Sequence, residues 1–200
     1  LKKAKRILIL ACGTSYYAGL VGEYLFEEIA KIPTEVHFAS EFRYRDEPFE
    51  DNTVAIAISQ SGETADTLAA IRKAKGHGLL TLGIVNTVGS TIARETDAGV
   101  YNHAGPEVGV ASTKAFISQL TILTLMAVYL SKSNGHSSHR AILQELKKIP
   151  EKIKTILDKS SELEKLAAKY KNCDNFLFLG RRYNYPVALE GALKLKEISY

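Results

Sequence analysis

TVAIAISQSGETADTLAAIRKAK, residues 53–75, reads as three pieces in a row. TVAIAIS (53–59) is a continuous apolar run of strand length, as a strand covered on both faces of a parallel sheet requires. From Gly62 to about Lys75 the apolar positions recur at helical spacing. Between them lies a cluster of hydroxyls with no lysine or arginine. Strand, polar loop and helix in this order make half of a βαβ unit.

The same alternation continues on either side. RILIL (6–10) reads as a strand, followed by a helix from about Ser15 to Lys31. EVHFA (35–39), LLTLGIV (79–85) and AGVYNH (98–103) read as further strands. A short helix is expected near Ser90 to Arg94 and a long one from Ser112 to about Lys132. Continuous apolar strands alternating with helices predict an α/β fold, a parallel sheet covered on both faces. SKSNGHSSH (131–139) reads as a linker. Beyond it Ile142, Leu146, Ile149, Ile153, Ile156 and Leu157 recur at helical spacing among charges, and Pro150 is expected to kink or divide that segment. NFLFLGRRYNYPVALEGALKLKEISY (175–200) weakly echoes RILILACGTSYYAGLVGEYLFEEIA (6–30). The echo predicts a duplication whose second copy is cut off after one strand and one helix. The expected organisation is a first domain over 1–135, connecting amphipathic helices over 136–172, and the start of a second domain over 173–200.

Ligands of open parallel sheets sit beyond the carboxyl ends of the strands. Those ends are polar here: Cys12-Gly13-Thr14-Ser15, Ser59-Gln60-Ser61-Gly62-Glu63-Thr64, Asn86-Thr87-Val88-Gly89-Ser90, and the stretch from Gly105 to Lys114. In the Ser59–Thr64 loop, Ser61 is the expected N-cap, and Gly62 allows close backbone approach. Free helix-start amides, the helix dipole and the hydroxyls of Ser59, Ser61 and Thr64 can hold a phosphate monoester without a cation. Glu63 must then point away. Plain helix capping uses the same residue types, so the residues alone leave both readings open. Glu190, Lys194 and Glu197 are spaced by four and three and share a helix face. They can be a proton-shuttling pair or a surface ion pair, and spacing does not choose.

Several classes are disfavoured. The chain has 200 residues, 46% hydrophobic and 24% charged, with a net charge of +4 from dispersed cations, so nucleic-acid binding is not indicated. Neither the phosphate-loop pattern nor G-x-G-x-x-G is present, which disfavours a dinucleotide. The two cysteines, Cys12 and Cys173, suggest no disulfide framework. The five histidines suggest no metal site: His37 and His103 are expected in strands, His77 in a turn, His136 and His139 in the linker. No cofactor is expected. The apolar stretch from Ala115 to Leu130 is interrupted by Ser118, Gln119, Thr121 and Thr124 and reads as a buried helix rather than a membrane span. With no signal peptide visible, the cytoplasm is the expected location.

ACGTSYYAG (11–19), ISQSGETADTLAA (58–70), VNTVGSTIARETD (85–97), AGPEVGVASTKAF (104–116) and ALEGALKLKEISY (188–200), in this order, resemble the isomerase half of the glutamine–fructose-6-phosphate aminotransferases. That half is built from sugar-isomerase (SIS) domains. The resemblance spans nearly the whole chain. It implies a doubly wound, flavodoxin-like domain present twice per isomerase half. The implied reaction is conversion of fructose 6-phosphate and glutamine-derived ammonia to glucosamine 6-phosphate. By the same resemblance Ser59, Gln60, Ser61 and Thr64 bind the phosphate, while Cys12, Gly13, Thr14, Ser15, Val110, Ala111 and Ser112 lie along the sugar. Glu197 moves the proton between C1 and C2, and Lys194 assists ring opening and charge stabilisation. A glutaminase domain and a homodimeric partner are implied as well. The family's ring-opening histidine and Schiff-base lysine have no counterpart before Tyr200, so this fragment is expected to bind sugar phosphate weakly and turn over poorly. The alternatives are a sugar-phosphate-sensing module without chemistry and a simple phosphosugar isomerase.

Overall fold

The computed structural model describes residues 1–46, 48–133 and 140–199. Five strands, β1 (Arg6–Ala11), β2 (Thr34–Phe38), β3 (Thr53–Ser59), β4 (Leu80–Val85) and β5 (Ala98–Tyr101), form one sheet in the order β2-β1-β3-β4-β5. Every pairing is parallel. This is the flavodoxin-like doubly wound order, whose switch point falls between β1 and β3. Each residue of β3 is buried, as its continuous apolar run requires.

Successive side chains of a strand point to opposite faces, and the core divides accordingly. On one face Ile7, Ile9, Ile56, Ile58 and Ile84 pack with Ala18, Phe26, Phe116, Leu123 and Ala127. These come from α1 (Gly13–Leu25), the π-helical turn Phe26–Ala30 that continues it, and α5 (Lys114–Ser133). On the other face Leu8, Leu10, Ala55, Ala57 and Val85 pack with Phe42, Ala70, Ile71, Ala74 and Ile92. Those helices are α2 (Ala39–Phe42), α3 (Ala65–Gly76) and α4 (Thr91–Glu95). Each fully buried aliphatic side chain contributes about 1.5–3 kcal/mol relative to exposure, so the two faces clamp β1 and β3. The loops that follow these two strands therefore stand on the stiffest part of the molecule. α5 is long and apolar enough to cross a membrane by length and composition, with mean hydropathy 1.4 over Lys114–Ser131, and half of that window is buried inside the fold.

The described chain divides into two compact units. One comprises residues 1–136 and 179–200, the other 137–178. This differs from the expected boundaries at 135 and 172. In the first unit α8 (Asn184–Ser199) packs on α1, with Tyr24 and Tyr183 ring centroids 5.4 Å apart. Arg182 and Tyr183 also reach Glu28 at 2.6 and 2.9 Å. The helix that echoes α1 is thus part of the first unit. The expected strand over 175–179 forms no ladder among the described residues, and Leu177 and Leu179 are 88% exposed. A strand gains its hydrogen bonds only from a neighbour, and the sequence pattern says nothing about whether one is at hand.

The second unit holds α6 (Arg140–Leu157) and α7 (Ser160–Tyr170), and Glu145 holds Lys148 and Lys152 at 2.6 and 2.9 Å. α6 runs through Pro150 without interruption. The segment is not divided at Pro150, and the helix ends at Leu157; a proline removes one intrahelical bond, which an amphipathic helix can absorb. His103 also departs from expectation. β5 ends at Tyr101, and His103 has φ of 51°, a left-handed conformation that cannot continue a strand. His136 and His139 lie outside the described residues.

Candidate functional site

The cleft forms where the strand order reverses. Cys12, Thr14 and Ser15 follow β1, and Ser59, Gln60, Ser61 and Thr64 end or follow β3. With Ile58 and Ser112 they line an open cleft of about 200 Å³. No lining residue is charged. Gly13, Val110 and Ala111, which the resemblance places along a sugar, are not among the lining residues. Val110 stands 94% exposed in the loop before α5.

The Ser59–Thr64 loop is locked from within. Ser59 is buried, and its Oγ accepts from the Gly62 amide at 3.0 Å and lies 3.1 Å from Thr64 Oγ1. Ser61 Oγ accepts from the Glu63 amide at 3.2 Å, a local serine turn. Helix α3 begins at Ala65 with Thr64 as its N-cap, so Ser61 is not the cap expected from sequence. The reason is Gly62, whose φ of +66° bends the chain out of any helical path and delays the start. No side chain caps α3, and none caps α1 at Cys12. The first-turn amides of the two helices that begin beside the cleft therefore have no capping side chain from their N-cap residues. Each such terminus favours an anion by about 0.3–1 kcal/mol, and up to about 2 kcal/mol where partly buried.

Glu63 does not spoil this field. Its Oε1 accepts from the Thr91 amide at 2.7 Å, and the Thr91 side chain and amide together hold the carboxyl below the usual carboxylate range. It caps the neighbouring helix and turns away from the cleft. The Ile92 amide donates to Gly62 carbonyl at 3.0 Å, which ties the loops after β3 and β4 together. Glu107 plays a similar part before α5. Its carboxylate accepts from the Ala115 amide at 3.0 Å, Thr113 Oγ1 at 3.1 Å and Ser112 Oγ at 3.4 Å. Burial works against this anion, but the amides of Ala115 and Thr113 outweigh it and hold the carboxyl low. Sequence reading missed Glu107, because a side chain that reaches eight residues forward leaves no periodic trace.

α8 brings the acid–base candidates to the rim. Lys194 Nζ lies 2.5 Å from Glu197 Oε2 and donates to Thr14 Oγ1 at 2.9 Å. Thr14 donates in turn to Glu190 Oε1 at 3.0 Å. Thr14 lines the cleft, so the Lys194–Glu197 pair sits one side chain away from it. The side chains of Lys194 and Glu197 keep 21% and 30% exposure, enough to meet a ligand. Ser15 Oγ accepts from the buried Gln119 amide at 2.9 Å, which leaves the Ser15 hydroxyl proton free to serve the cleft. Among the described residues no three His, Cys, Asp or Glu side chains gather as a metal site. An uncharged hydroxyl cleft with two open helix ends and a lysine–carboxylate pair beside it can take a phosphorylated polyol and move a proton on it.

Comparison with known proteins shows the family. The family model for the SIS domain matches residues 1–129, and the chain belongs to that family. Over its whole length it is 58% identical to glutamine–fructose-6-phosphate aminotransferase of Chlorobaculum tepidum and 53% identical to that of Bacteroides thetaiotaomicron. It spans about a third of each, 33% of their length. Among solved structures it matches the C-terminal domain of glucosamine–fructose-6-phosphate aminotransferase from Francisella tularensis with a TM-score of 0.96 and 42% identity. That match covers the entire chain and 57% of the other.

Proposed function

We propose that this chain is the sugar-phosphate-binding part of an isomerising glutamine–fructose-6-phosphate aminotransferase. The observation that carries the reading is the Lys194–Glu197 pair bonded to Thr14, on the wall of an uncharged cleft at the switch point. The phosphate of fructose 6-phosphate sits on the α3 start, against Ser59, Gln60, Ser61 and Thr64. The sugar extends toward Cys12–Ser15, with Gly13 contributing backbone, and the loop carrying Val110, Ala111 and Ser112 flanks it. Glu197 takes a proton from C1 and returns it to C2, while the Lys194 ammonium balances the negative charge that develops on oxygen between the two steps. Ammonia comes from a glutaminase domain, and the working unit is a cytoplasmic homodimer. In the longer protein residues 173–200 also supply the first strand and helix of a second SIS-type unit, while α8 stays packed on α1 of the first. The exposed leucines and phenylalanines at 176–179 and the greater length of the relatives support that division.

Backbone amide shifts test the binding half of this reading. Glucosamine 6-phosphate is expected to shift Ser59 to Thr64, and unphosphorylated glucosamine is not. Thr64→Val is isosteric and removes one hydroxyl, together with its contact to Ser59, and is expected to weaken the phosphorylated sugar by about tenfold or more, as loss of a hydrogen bond to a charged group does. Equal shifts with both sugars, or an unchanged affinity in the variant, would remove the phosphate from the α3 start.

A further inference from the structure

Glu190 has no part in the chemistry above, yet it is the one carboxylate of α8 that the fold buries. Its side chain is 8% exposed, and Oε2 is enclosed without a hydrogen-bond partner. Oε1 accepts from Thr14 Oγ1 at 3.0 Å and lies 3.5 Å from Lys194 Nζ. A threonine hydroxyl has a single proton, and here it goes to Glu190. Thr14 therefore meets Lys194 only as an acceptor, at 2.9 Å. The direction of the chain is fixed: Lys194 donates to Thr14, and Thr14 donates to Glu190. On its other side Lys194 holds Glu197 at 2.5 Å. The ammonium stands between a buried carboxylate and an accessible one.

We infer that Glu190 is a positioning residue that, through the Thr14 hydroxyl, sets where the Lys194 ammonium sits and how its charge is divided between two carboxylates. The inference rests on the proposed function for its consequence, though not for its test. When Glu190 is an anion, Lys194 is shared between the two carboxylates, and its hold on Glu197 is loosened enough for Glu197 to accept a proton from the sugar. When Glu190 is neutral, Lys194 turns wholly to Glu197 and occupies it. A buried carboxylate is costly unless compensated, and the orphaned Oε2 shows the compensation to be incomplete. Burial pushes the Glu190 carboxyl up, Thr14 and Lys194 oppose this, and Glu197 adds to the push. The ionisable groups facing it are Lys194 and Glu197 from α8 and Tyr17 from α1. Glu190 thus changes charge above the ordinary carboxylate range, where its neighbours feel the change.

The test is a pH titration of the ligand-free chain by side-chain NMR, following the carboxyl carbons of Glu190 and Glu197 and the ammonium of Lys194. The Lys194 and Glu197 signals are expected to carry a step at the pH where Glu190 titrates, as coupled sites do. Glu190→Gln is expected to abolish that step, and Glu190→Asp to keep it. Lys194 and Glu197 signals that pass through the Glu190 titration without a step overturn the inference, and the wild-type chain alone decides this if Glu190→Gln does not fold. A step that survives in Glu190→Gln overturns it too. No sugar is present, so a failure to bind sugar phosphate would sink the proposed function and leave this result standing. In the turning-over protein that carries this chain, Glu190→Gln is expected to lower kcat by about a hundredfold, the low end of what a general base contributes. KM should be unchanged and the acid limb of the kcat profile lost.

Discussion

Gly62→Ala is expected to destabilise the first unit by about 2–5 kcal/mol and to remove phosphate-dependent binding. Two independent costs combine. The residue has φ of +66°, and an alanine held there carries about 1–2 kcal/mol of left-handed strain. A Cβ would also collide with Ser90 Oγ and stand 2.5 Å from Ser90 Cβ. Ser90 is buried and its Oγ has no hydrogen-bond partner, so the collision falls on a packed wall. Overpacking of this kind adds about 1–3 kcal/mol. Relief requires the loops after β3 and β4 to separate, which breaks the Ile92 amide bond to Gly62 carbonyl and the Glu63 cap on Thr91. Gly89→Ala is the control. Its φ is +70° but nothing lies within 4 Å of the added carbon, so only the strain of about 1–2 kcal/mol should appear. Urea unfolding of both variants separates the terms, and equal losses would mean that the Gly62–Ser90 contact has no energetic weight.

That contact also marks the limit of what the sequence discloses. The strand–loop–helix character of residues 53–75 is legible because burial on both faces forces seven consecutive apolar or small residues, and a helix packed on a sheet forces its own period. The same reasoning finds the five strands within one or two residues, and it finds the polar loops at their carboxyl ends. It misplaces the start of α3, since the sign of φ at Gly62 depends on Ser90 and the loop after β4, which are remote in sequence. It expects Pro150 to kink or divide the helical pattern that runs to Leu157, and α6 instead continues through Pro150 to Leu157. Glu190 shares its spacing with Lys194 and Glu197, and spacing alone makes the three equivalent. Packing on α1 distinguishes them, burying the first against Thr14 and leaving the third open. Periodicity reports which face of a helix is turned inward, not which atom on that face finds a donor.

Glu197→Gln is expected to have the largest effect on chemistry. General acid–base groups contribute about 10²–10⁴-fold, and an amide of the same size cannot accept the C1 proton. In the longer, isomerising protein proposed above, the expected result is a loss of that size in exchange of the sugar C1 hydrogen with deuterated solvent. The phosphate-dependent shifts at Ser59 to Thr64 should persist, because Glu197 lies on α8 and contributes nothing to the loop that holds the phosphate. Lys194→Met should also slow exchange, by removing the cation that balances the developing oxyanion. It should do so without restoring what Glu197→Gln removes, so the double variant is expected to be little worse than Glu197→Gln alone. Groups that act on one proton transfer as a unit are non-additive in this way. Full additivity would mean that Lys194 and Glu197 serve different steps, and the 2.5 Å contact between them would then be an ion pair that ligand binding must break. Undiminished exchange in Glu197→Gln would move the base elsewhere and reduce α8 to a support behind Thr14.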